Sequence, residues 1–165
     1  MPPSFSWSLV TDEVPWHPRD GAGACVFRGR MWLLGGWNHQ EPLNFSPEEG
    51  SNCAQVWSSA DGRAWRLELA RAPWPPRHLS GFLVHEDEMW LVGGDNGSGY
   101  YQKDVWKSGD GLHWECVLES APWPDRASHI AASFDGKLWI MGGQGNAPKW
   151  DDFRENVADA VATGR

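Results

Sequence analysis

Arg19, Arg77 and Arg126 close three versions of one short phrase, and guanidiniums are the groups with which proteins grip carboxylates and phosphates. Two versions are clear, Arg71-Ala72-Pro73-Trp74-Pro75-Pro76-Arg77 and Ser120-Ala121-Pro122-Trp123-Pro124-Asp125-Arg126, and Val14-Pro15-Trp16-His17-Pro18-Arg19 is looser. A ring of such arginines would suit an anionic ligand such as a carboxylate sugar or an acidic peptide. A plainer reading is preferred: a residue required in every unit clamps its own surroundings, by bonding loop carbonyls or a carboxylate. Residues that break the repeat are the better candidates for recognition. These are His129, whose equivalents are Ser80 and Ala22, together with Asp95, Asn96, Tyr100, Tyr101, Trp37, Asn38 and His39. The six histidines, at 17, 39, 78, 85, 113 and 129, share no metal-ligand spacing, so neither a metal site nor a cofactor is expected.

The elements that must position these residues repeat with them. Each phrase is followed by an apolar run ending in a glycine pair: Met31–Gly36, Met89–Gly94 and Leu138–Gly143. Trp74 and Trp123 lie 49 residues apart, as do Trp90 and Trp139, Trp57 and Trp106, and Trp65 and Trp114. The first copy runs 58 ahead of the second at Trp16 to Trp74 and Trp32 to Trp90, which places nine extra residues between Gly36 and Trp57. A fixed period near 50 marks a repeat architecture.

The second copy divides into four short runs, Leu79–His85, Met89–Val92, Lys103–Lys107 and His113–Leu118, separated by Gly, Asp and Pro. Runs of this kind read as antiparallel strands joined by tight turns. Four strands in about 50 residues is the size of a propeller blade. Antiparallel alternation then puts the link before the first strand and the loop after the second on one face. Arg19, Arg77 and Arg126 share that face with the loops 37–54, 95–101 and 144–148, and the insertion enlarges the first of these. Binding residues sit most often on loops held by a rigid scaffold.

Composition narrows the partners. The 165 residues carry a net charge of −8 and no basic stripe, which argues against nucleic acid and anionic membranes. No apolar stretch is long enough to span a bilayer, and residues 1–5 lack the pattern of a secretory signal. Cys25, Cys53 and Cys116 are an odd number without CxxC spacing, and they read as buried free thiols compatible with a reducing cytoplasm.

The glycine pairs, the tryptophans spaced behind them and the Pro-x-Arg links resemble the Kelch-repeat propellers, over roughly residues 5 to 145. The looser bacterial branch is most similar, the one sharing its fold with the central domain of galactose oxidase and with sialic acid mutarotases. The turns Ser59-Ala60-Asp61-Gly62 and Ser108-Gly109-Asp110-Gly111 resemble the sialidase Asp box but are one residue short, and are read as hairpin turns. The resemblance implies an all-β fold, a partial Kelch-like propeller of about three four-stranded antiparallel blades. It implies a binding or scaffolding module whose loop face meets a protein partner or a carbohydrate. The alternative is a carbohydrate-active propeller of the mutarotase type, needing an acid/base pair beside an anion-holding arginine. Glu48, Glu49, Asp95 and His129 could supply that pair. A copper radical oxidase would need Tyr, His and Cys ligands together, and a sialidase a marked nucleophilic tyrosine; neither set is indicated.

The blades are expected at about 14–69, 72–118 and 121–148, with 149–165 a non-repeat tail forming a short helix or no structure. Trp7 precedes Trp16 by nine residues, as Trp65 precedes Trp74, so Phe5–Val10 is an outer-type strand without a blade of its own. In the third copy the expected Val-Trp is replaced by Arg154-Glu155. Closed propellers use about four to eight blades. Three arrangements answer the shortfall: a longer gene product cut or frame-shifted near residue 145, a homodimer closing a six-bladed ring, or an open arc.

Overall fold

A computed structural model of the chain describes residues 5–38, 51–97 and 100–145. Ten strands form three antiparallel sheets, and the described residues include no helix. The first sheet runs β1 (Gly23–Phe27), β2 (Arg30–Leu34), β3 (Val56–Ser59) and β4 (Trp65–Leu69) in sequence order. The second repeats it as β5 (Gly81–His85), β6 (Glu88–Asp95), β7 (Tyr101–Ser108) and β8 (Glu115–Leu118). The third holds β9 (Ile130–Phe134) and β10 (Lys137–Met141). The first strands lie side by side, β1 against β5 and β5 against β9, so the sheets fan outward as blades of an open arc.

Three of the four tryptophan columns are also hydrogen-bond columns, whereas the buried link indoles of Trp74 and Trp123 find no acceptor. The indoles of Trp32, Trp90 and Trp139 sit on the second strands and donate to the carbonyls of Phe27, His85 and Phe134, at 3.1, 3.2 and 2.9 Å. Trp57 and Trp106, on the third strands, donate to Gln55 and Asp104. Trp65 and Trp114 donate back to Gly62 and Gly111. Packing accompanies these bonds. Trp32, Leu34, Val56 and Trp74 share one buried cluster with Met89 and Leu91, with Trp106 and Trp114 packed against it from blade 2.

The turns differ in part from expectation. The two-residue hairpins with positive φ at both positions are Arg28-Gly29, Glu86-Asp87 and Asp135-Gly136, between first and second strands. The Asp61-Gly62 and Asp110-Gly111 turns belong to longer loops built around a side chain. Asp110 Oδ1 accepts the amides of Leu112 and His113 at 2.8 Å each, and Ser108 Oγ accepts that of Gly111 at 2.8 Å. Asp61 and Ser59 do the same in blade 1.

Two surfaces of the arc are open. Phe27 and its equivalent His85 are 3% and 8% exposed, each covered by the next blade, whereas Phe134 in the same column is 69% exposed. At the other end Val26 is 68% exposed. Phe5–Val10 makes no strand pairing among the described residues, and its Trp7 is 97% exposed. The thiols are free, and the fully buried one is Cys53; Cys25 and Cys116 are only half-buried. The expected tail, 149–165, lies outside the described residues.

Candidate functional site

Each arginine ends a Pro-rich link, and the links of Arg77 and Arg126 are stitched by their backbone to the preceding blade. Gly36 N–H donates to the Arg77 carbonyl at 2.9 Å, and Arg77 N–H to that of Cys53 at 3.2 Å. Gly94 N–H donates likewise to the Arg126 carbonyl at 2.9 Å. This close approach explains the glycine pair: a Cβ on Gly35 would lie 2.7 Å from the Arg77 oxygen, at φ +60°.

The guanidiniums turn inward. Arg77, 1% exposed, donates to the carbonyls of Pro75 and Gly93 and grips both oxygens of Asp104. Arg19 donates to the carbonyls of His17 and Gly35, to Cys53 Sγ and to Gln55 Oε1. Burial lowers its pKa, with the nearby Cys53 acting in the opposite sense. Arg126 donates to Pro124 and Gly142 and is buried. The clamp reading describes this geometry; the three do not form an exposed anion-binding ring.

His129 is 7% exposed and wedged among glycines. A Cβ on Gly81 would fall 2.5 Å from its Nε2, one on Gly93 3.2 Å from Cε1, and one on Gly143 2.8 Å from its Cβ. Neither ring nitrogen reaches a partner at full hydrogen-bond geometry, the backbone of Val92 giving partial support. Burial, then the charge of Arg126, pushes its pKa down to about 4, so the imidazole is neutral at pH 7. It fills a seam between blades 2 and 3.

The repeat-breaking residues gather one layer above the arginines. One isolated bridge per blade ties the link to the residue after the glycine pair: Asp20 to Trp37, His78 to Asp95, and Ala127 to Gln144. These are equivalent positions carrying three different chemistries. Trp37 stacks on His78 across the seam between blades 1 and 2, with centroids 5.9 Å apart and planes at 24°. Asp95 Oδ1 accepts the Gly97 amide at 2.6 Å, and Asn96 follows, half-buried. Tyr101 pairs across the strands with Asp95, and its hydroxyl accepts from Gln144 Nε2. Tyr100 is 72% exposed.

The structure thus brings Trp37, Asp95, Asn96, Tyr100 and Tyr101 to one face and sets His129 and the arginines beneath it. His39, Glu48 and Glu49 lie outside the described residues. Reading the sequence missed His78 and Gln144, although both occupy repeat positions where a different residue stands in each copy. Among the described residues no group of three His, Cys, Asp or Glu side chains could hold a metal. No protein-family model matches this chain, and no curated protein matches it either.

Proposed function

We propose that the chain is a binding or scaffolding module of Kelch-like propeller blades whose loop face receives a protein surface or a carbohydrate. One observation carries this reading. The scaffold bonds recur from blade to blade, whereas the rungs above them change from Asp20–Trp37 to His78–Asp95 to Ala127–Gln144. Repetition below and variation above is the pattern of a frame that presents a surface. The stacked Trp37–His78 pair offers a flat aromatic patch beside the Asp95 carboxylate. Fold likeness alone does not name a ligand.

A sugar-dependent thermal shift, screened across neutral and acidic sugars, tests the reading. A shift that Trp37→Ala and Asp95→Ala abolish supports a carbohydrate at this face, and no shift with any sugar favours a protein partner. Interconversion of sialic acid anomers by the wild type, lost in an Asp95, Tyr100 and His129 alanine set that still folds, would overturn it in favour of the mutarotase-type enzyme.

A further inference from the structure

A small cavity of about 10 Å³ lies in the seam between blades 1 and 2. Gly21, Gly23 and Leu34 line it from blade 1, and Trp74, Ser80 and Leu91 from blade 2. Trp74 is 1% exposed, yet its indole Nε1–H has no acceptor in the protein, and the buried Ser80 hydroxyl has no partner there either. Buried polar atoms in folded proteins are nearly always bonded, to protein or to ordered water. Two unbonded atoms on the residues of one cavity point to a shared partner that is not a side chain.

Size and polarity select that partner. A space of about 10–15 Å³ accommodates a single water, whereas a purely apolar cavity stays dry. An indole nitrogen only donates, and a hydroxyl both donates and accepts. A water oxygen can therefore take the Trp74 Nε1–H while a water proton bonds the Ser80 oxygen. The Arg77 side chain, also on the wall, opposes a cation.

The next seam fills the same column differently. Ser80 and Gly23 correspond to His129 and Gly81, 49 and 58 residues on. There the imidazole takes up the space: a Cβ on Gly81 would fall 2.5 Å from His129 Nε2. The nearest atoms to a Cβ on Gly23 belong instead to Phe82, and the shorter Ser80 leaves the cavity beside it.

We infer that the seam between blades 1 and 2 binds one water molecule, held by Trp74 Nε1 and Ser80 Oγ, and that the His129 ring takes the place of this water in the next seam. The water fastens the link tryptophan to the residue just before β5, inside the surface that blade 1 covers. The site lies beneath the loop face and does not depend on what that face binds.

The experiment is a crystal structure of the full chain at a resolution that shows ordered water, wild type beside Ser80→Ala. Ala22 stands in the same column of blade 1, so the replacement is compatible with a folded blade. The wild type is expected to show one density peak at hydrogen-bond distance from both Trp74 Nε1 and Ser80 Oγ, and Ser80→Ala to lose most of that peak. Nuclear magnetic resonance gives a check in solution. The Trp74 Nε1 proton, assigned by its disappearance in Trp74→Phe, is expected to show contact with a long-lived water. A wild-type cavity without the peak overturns the inference, as does a peak bonded to only one of the two atoms. Unchanged occupancy in Ser80→Ala, or an indole proton without water contact, overturns it equally.

Discussion

Asp104 holds Arg77 by two parallel bonds, Nη1 to Oδ1 at 2.5 Å and Nη2 to Oδ2 at 2.7 Å, with both side chains enclosed in blade 2. The same carboxylate accepts Trp106 Nε1 at 2.7 Å. Blade 1 solves the problem without charge: Gln55 Oε1 accepts from both Arg19 and Trp57.

Removing one member of a buried pair leaves the other charge uncompensated. Asp104→Ala should therefore cost about 3–5 kcal/mol in urea unfolding. Gln55→Ala should cost less, about 1–3 kcal/mol, because Arg19 keeps its carbonyl and sulfur contacts. Arg77→Lys should resemble the alanine change more than the wild type, since an ammonium cannot reproduce the fork.

Acid should act first on the seam between blades 2 and 3. The His129 pKa lies near 4 in the folded chain, below its unfolded value of about 6.5. The unfolded chain thus binds a proton that the native chain refuses. Stability present above pH 6.5 is lost progressively as pH falls toward 4, by an amount on the order of 3 kcal/mol. His129→Ser, which copies Ser80 of the preceding blade, should flatten that part of a pH-dependent urea profile.

Asp110 acts in the same sense at lower pH. Burial raises its pKa, but bonds from the His113 ring and the amides of His113 and Leu112 outweigh this, and the carboxyl is held well below its usual range. Its contribution is present above the ordinary carboxylate range and disappears as pH falls through it toward the depressed value. Asp110→Asn should remove this acid-limb slope in the same titration while leaving the His129 slope intact.

Two glycines with similar φ separate backbone strain from crowding. Gly29 has φ +71°, and a Cβ placed there would meet nothing within 4 Å, so Gly29→Ala should cost only about 1–2 kcal/mol. Gly35→Ala adds a collision with the Arg77 carbonyl and displaces the Gly36 to Arg77 bond, and should lose a further 1–3 kcal/mol or so, on the order of one buried bond and its strain. Paired thermal melts of the two variants make the comparison.

The blade plan was legible because the link and second-strand tryptophans keep their spacing in all three copies, and Trp32, Trp90 and Trp139 do occupy corresponding second strands. Which glycine turn would be a two-residue hairpin was not legible. Glu86-Asp87 contains no glycine and still adopts positive φ at both positions, because strand twist and register demand it. The inward course of the arginines followed from their recurrence, but their acceptors did not, since Gln55, just before β3, and Asp104, on β7, are distant in sequence. His78 stayed hidden for a related reason. Its partner Trp37 belongs to the neighbouring blade, and stacking across a seam leaves no periodic trace.

The Arg77 and Arg126 links each join two blades at once, by the backbone to the one before and by the side chain to the one entered. Such a joint behaves as a rivet driven through adjacent vanes. Tension applied at the ends of the folded segment is then shared rather than concentrated on the last sheet. A chain stretched between its two ends should consequently give way in one rupture instead of shedding sheets singly.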